Sequence, residues 1–104
     1  MPNPHSPREL TSQQLQRLRA YIYVDPPLDH YQFLSKWDIS RELTAQICRC
    51  DLRTINAWFA HGRIHRSPQE YYLWHLSFAD IILERFDELP HFLQILLSPV
   101  NDDF

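Results

Sequence analysis

Between residues 41 and 69 the chain gathers side chains suited to binding rather than to bond-making. Arg41, Arg49, Arg53, Arg63 and Arg66 stand there against Glu42 and Asp51, a local charge of +3 in a chain whose formal net charge is −3. On a helix, Arg53 and Asn56 would share one side. A guanidinium can bond guanine O6 and N7 together, a carboxamide can bond adenine N6 and N7 together, and Leu52 or Ala57 can meet a thymine methyl. Arg49, Thr54, Arg63, His65, Arg66 and Ser67 are of types that hold phosphate oxygens. Residues 70–104 are the opposite, with Arg85 alone against seven acids.

Catalytic patterns are not found. No nucleophile has an assignable base, and with Gly62 the single glycine there is no phosphate-cradling loop. Asp87–Glu88 and Asp102–Asp103 read as solvated acids. Neither enzymatic activity nor a cofactor is expected. Cys48, Cys50, His61 and His65 superficially resemble a zinc set, but one residue separates the cysteines where finger sites place two to four. The helical pattern below also turns both thiols into core, so no metal is expected. Cysteines this close do not readily close a disulfide; reduced thiols point to a cytoplasmic protein. No apolar run approaches the roughly 18 residues of a membrane span. Residues 1–9, with no apolar stretch of a secretory signal, read as a disordered lead-in, and 99–104 as an acidic tail.

The elements that position these residues are helices. A single glycine among 104 residues argues against the turns of an all-β domain. Thr11 with Gln14 forms a capping box, with Leu10 and Leu15 as its staple, for a helix to about Val24. Asp25-Pro26-Pro27 ends it. Asp29 with Gln32, stapled by Leu28 and Phe33, opens a second helix to about Trp37. Ser40 caps a third, Arg41 to Cys48, and Asp51 a fourth, Leu52 to about His61, with Gly62 suited to a left-handed position after it. Ser67-Pro68-x-Glu70 opens a long helix from Pro68 to Glu88. Pro90 opens a last one through Leu97. The expected fold is all-α, a compact bundle of five to six helices spanning 10–98 as one domain.

The connection between the third and fourth helices is two or three residues, short enough to force a steep crossing of the helix-turn-helix kind at about 40–61. Ala45 gives the small side chain a close crossing needs, and Ile55 and Trp58 face the core. Leu52, Arg53, Asn56, Ala57 and Ala60 then face outward.

The run Ile39-Ser40-Arg41-Glu42-Leu43-Thr44-Ala45-Gln46-Ile47-Cys48 with Thr54-Ile55-Asn56-Ala57-Trp58-Phe59 resembles helix-turn-helix transcriptional regulators, and in particular short helix-turn-helix proteins common in cyanobacteria. The likeness extends to Gln14-Arg17-Leu18, Tyr21-Ile22, Phe33-Leu34-Lys36-Trp37 and the segment after Ser67. It implies sequence-specific binding of double-stranded DNA. Two positions depart from the pattern: Arg49 replaces a turn glycine, and Thr44 a leucine whose volume Leu43 or Ile47 must fill.

In the helix after Ser67, apolar residues leave only a narrow polar stripe at Ser77, Asp80 and Glu84. A helix apolar nearly all round must be buried. Either a second copy covers Tyr71, Trp74, Phe78 and Ile82 in a homodimer, or the first two helices and the last wrap it completely. The acidic, aromatic C-terminal third also leaves open a protein-interaction adaptor with the helix pair as scaffold.

Overall fold

In the computed structural model, which describes residues 6–99, the chain is all-α, with six α-helices and no strand among the described residues. Most of the expected lead-in 1–9 and acidic tail 99–104 lies outside the described residues. Local capping chemistry sets the first four helix starts. Thr11 caps α1 (Ser12–Tyr23): its hydroxyl accepts from the Gln14 N–H (3.1 Å), and the Gln14 carboxamide accepts from the Thr11 N–H (3.0 Å). Asp29 and Gln32 close the same reciprocal box on α2 (His30–Lys36), at 2.7 and 2.9 Å. Ser40 caps α3 (Arg41–Cys48) and Asp51 caps α4 (Leu52–Phe59), each accepting from the amide three residues on. These bonds satisfy helix-start donors that have no intrahelical partner. After a single 3-10 turn at Gly62–Ile64 come α5 (Glu70–Glu84) and, past a second at Phe86–Glu88, α6 (His91–Leu97). No described helix is long and apolar enough to cross a membrane.

Three boundaries correct the sequence reading. The long helix does not start at Ser67-Pro68; it starts at Glu70 behind Gln69, which makes no side-chain cap bond. The Arg66 N–H is tied to Ala57 O (2.9 Å), so the chain needs the next residues to reach the start of α5. That helix stops at Glu84, because Arg85 leaves helical geometry (φ −128°, ψ 36°). α4 ends at Phe59, with Ala60 extended, and Gly62 (φ 73°) serves the following 3-10 turn instead of capping α4.

α3 packs on both α4 and α5, and α2 packs on α5. Phe33, Ala45, Cys48, Ile55, Trp58 and Leu76 form the core, one or two from each of these helices. Trp58, 1% exposed, meets Tyr72 of α5 at 5.6 Å and His30 of α2 at 5.7 Å between ring centroids. Thr44 is itself fully buried, its hydroxyl donating to Ser40 O (2.8 Å); of the two side chains expected to fill the missing volume, Leu43 is 44% exposed and Ile47 packs against the core. Cys50 is half-buried against the core, and burial pushes the Cys48 thiol up to about 12.

The polar stripe of α5 lies toward α2, with Ser77 buried, Asp80 half-buried and Glu84 exposed. Ser77 is buried and donates to Leu73 O (2.8 Å). Asp80 accepts from the Trp37 indole N–H (2.9 Å) and pairs with Lys36 (2.7 Å), which also reaches Glu84. Burial pushes the Asp80 carboxyl up, but the Lys36 and Trp37 hydrogen bonds outweigh it and hold it below the usual range. The stripe thus marks the seam between α2 and α5; Leu76, Tyr72, Leu73 and Ala79 of α5 pack in or against the core, while Tyr71 and Phe78 are exposed. α1 and α6 bury no residue.

Truncating Trp58 removes the largest core side chain; Trp58→Ala is expected to cost roughly 3–5 kcal/mol in chemical denaturation. An unchanged midpoint would place that ring outside the core.

His30 is buried among Tyr31, Trp58 and Phe59, and neither ring nitrogen has a hydrogen-bond partner. Burial pushes its imidazole below the ordinary 6.5; Asp29 opposes that shift and His65 adds to it. The fold therefore holds the neutral ring, whereas the unfolded chain takes up a proton at the ordinary value. The resulting stability is present above about pH 6.5 and is lost as pH falls through the lowered folded value. The melting temperature is expected to drop between about pH 7 and pH 5, and His30→Phe to flatten that slope. An identical slope in the variant would mean that other groups carry it.

Candidate nucleic-acid interface

The outward side of α4 is fixed by its inward side. Ile55 (0% exposed) and Trp58 pin one face to the core. A helix so held must turn Arg53 and Asn56 outward, and both are exposed, as is Leu52, while Ala57 is half-buried between them. Arg53, Asn56, Ala57, Ala60, Ile64 and Arg66 line one open groove of about 530 Å³. A second, of about 400 Å³, runs along the start of α4 and includes Arg53, Thr54, Arg66 and Ser67. Arg53, Asn56 and Ala57 of the base-contact candidates and Thr54, Arg66 and Ser67 of the phosphate-contact candidates therefore line these two grooves, which share Arg53, Ala57 and Arg66.

Several of these side chains also have partners within the chain. Arg41, which sequence reasoning counted as charge but gave no role, donates from Nη1 to Asn56 Oδ1 (3.0 Å). Its guanidinium lies 4.6 Å from the centroid of the Phe59 ring. A carboxamide oxygen has two lone pairs, so this bond fixes the rotation of the Asn56 amide without exhausting it. Thr54 donates its hydroxyl hydrogen to Asp51 (2.7 Å), which removes that donor from any phosphate. Bonds from the Thr54 hydroxyl and N–H hold the Asp51 carboxyl below its usual range, so a negative charge sits at the α4 N-terminus.

The loop after α4 is clamped rather than loose. Arg66 donates from Nη1 to Arg63 O and His65 O, both at 2.7 Å. His65 Nδ1 lies 3.1 Å from Ala60 O; a carbonyl only accepts, so the ring carries its proton on Nδ1. Arg63, His65 and Ser67 are exposed on this loop, and Arg49 is exposed in the turn between α3 and α4.

The chain matches no protein-family model, no curated protein and no solved structure. Function therefore rests on the side chains themselves. Of the cysteine and histidine set, Cys48 is buried and His61 and His65 are exposed, and no group of three metal-capable side chains is gathered among the described residues.

The turn that sets the α3–α4 crossing holds Arg49 in the left-handed region (φ 55°, ψ 45°). The Arg49 and Cys50 N–H groups donate back to Gln46 O (3.2 Å) and Ala45 O (3.0 Å), closing the end of α3. A side chain in this conformation is strained where glycine is not. Arg49→Gly is expected to stabilise the fold by up to about 1 kcal/mol. A loss of stability would show that the Arg49 side chain itself supports the turn.

Proposed function

We propose that the chain is a non-catalytic, sequence-specific double-stranded DNA-binding protein, a short helix-turn-helix transcriptional regulator of the kind its central segment resembles. α3 and α4 form the unit, and α4 is the helix that enters the major groove, where recognition helices place side chains on base edges. Arg53 reads guanine, Asn56 reads adenine, and Leu52 and Ala57 contact thymine methyls. Arg49, Arg63, His65, Arg66 and Ser67 hold phosphates and set the register. Thr54 joins them only as an acceptor or through water. Arg41 is a positioning residue that presents the Asn56 amide.

The observation that carries this reading is the pairing of Arg53 and Asn56 on the exposed side of a short helix whose other side is locked in the core, with Arg41 orienting the amide. The net charge of −3 does not oppose it, because the acids are concentrated after residue 69 and the arginines before it.

On a duplex selected from a random pool, Arg53→Ala and Asn56→Ala are each expected to weaken binding by about 1–3 kcal/mol and to relax preference at one position. Affinity should also fall steeply with salt, as counterions are released. Arg41→Ala is expected to weaken binding less and to be partly rescued by Arg41→Lys. Equal binding by the Arg53/Asn56 double variant and the native chain would overturn the assignment of α4.

A second reading draws on the exposed apolar side chains of α5 and α6: a protein-interaction adaptor for which α3 and α4 are scaffold. It requires that the chain bind no duplex at low salt.

A further inference from the structure

Many of the large exposed apolar side chains of this protein lie on α1, α5 and α6, although Tyr31, Leu43, Leu52 and Ile64 are exposed elsewhere. α1 buries none of its residues, and neither does α6. Yet Tyr21 (64% exposed) and Ile22 (60%) on α1, Phe78 (54%) on α5, and Phe92 (64%), Ile95 (62%) and Leu96 (73%) on α6 are large and apolar. Tyr21 and Phe78 adjoin through Trp74. The Tyr21 and Trp74 rings lie 6.5 Å apart and the Trp74 and Phe78 rings 5.9 Å apart. Phe78 in turn borders an apolar cleft of about 250 Å³ shared with Leu93 and Leu97 of α6. A helix of about 12 residues is marginal in water and owes its persistence to packing of an apolar side. α1 has such a side in Leu15, Leu18 and Ile22, and this chain leaves it largely uncovered.

We propose that the face formed by α1, the outer side of α5 and α6 is covered by the same face of a second copy of the chain, and that α1 of each copy packs against the α5–α6 face of the other. Area supports a second copy. Phe, Tyr and Trp side chains bury about 150–250 Å² each when fully covered, and Leu and Ile less. Leaving aside Tyr23 and Tyr71, ten such side chains on these three helices, from Leu15 at 36% to Leu96 at 73% exposed, are open to solvent. Together they offer on the order of 800–1,000 Å², and a standard interface takes about 800 Å² from each partner. Charge supports the exchanged arrangement. α1 carries Arg17 and Arg19 and no acid, while the corner between α5 and α6 carries Asp87 and Glu88 against Arg85. In this arrangement each basic helix meets the acidic corner of the other copy. The inference does not depend on what α4 binds.

The test is sedimentation equilibrium of the full chain without DNA, at micromolar concentrations. The native chain is expected at the dimer mass, and Ile22→Glu and Phe78→Glu are each expected to weaken association at least tenfold. Both positions are more than half exposed, and exchange protection of α3 and α4 amides reports whether the variants keep their fold. Hydrogen exchange of the native chain supplies a measurement that needs no substitution: α1 amides are expected to be protected at high concentration and to lose protection on dilution. A native chain that stays monomeric would overturn the proposal, as would an Ile22→Glu variant that dimerises as tightly, or α1 protection independent of concentration. Failure of the duplex-binding variants would leave all of these readouts unchanged.

Discussion

The register of α4 is held by Ile55 and Trp58, and everything exposed on that helix follows from them. Residues three apart share a helix face, so burying this pair leaves no choice about which side Arg53 and Asn56 occupy. Trp58 is also the point where three helices meet, with Tyr72 of α5 on one side of the indole and His30 of α2 on another. The exposed surface is therefore coupled to the core by one ring system. Phe59 extends the coupling outward, since it touches His30 and Tyr31 on α2 while carrying the Arg41 guanidinium over its face. The orientation of the Asn56 amide thus depends on aromatic packing two contacts away.

That packing includes an unsatisfied group. An imidazole buried with no hydrogen-bond partner carries a desolvation penalty that a phenyl ring would not. The site tolerates it because the neutral ring is only weakly polar compared with an ion and is enclosed by aromatic faces. Elsewhere the interior is careful about its polar groups: Thr44, Ser77 and the Trp37 indole each have an acceptor. His30 is the exception among them, and it lies next to the helix whose outer side carries the arginines.

What the sequence made legible was whatever depended on local chemistry. Thr11–Gln14, Asp29–Gln32, Ser40 and Asp51 cap helices because a hydroxyl or carboxylate three residues before an amide can always reach it. The inward faces of Ala45, Ile55 and Trp58 followed from spacing alone. What was illegible depended on partners distant in sequence. The Ser67-Pro68 helix start is a sound local signal, but the Arg66 N–H is drawn to Ala57 O and the loop overrides it. Asp80 and Glu84 find their partners only when Lys36 and the Trp37 indole arrive from the end of α2. Arg41 and Asn56 meet only because two short helices cross, and His30, directly after a capping aspartate, reads as an ordinary surface residue until the tertiary fold encloses it.

Helix lengths explain why part of the apolar surface of α5 stays open. At about 1.5 Å per residue, the 15 residues of α5 extend about 22 Å, whereas α2 and α3, with 7 and 8, extend about 10–12 Å each. Two short helices can cover one side of the long one and no more. The side they cover is the one with matching polar groups, because Lys36 and Trp37 satisfy Asp80 there and no described contact would do so if α5 were rotated. Rotating α5 to bury Trp74 and Phe78 against α2 would expose Leu76 and strip Asp80 of its partners. The ion pair and indole bond thus fix the rotation of α5, and in doing so they leave Phe78 at the surface. The result is a molecule with a basic, polar surface on α3 and α4 and an exposed apolar one on α5.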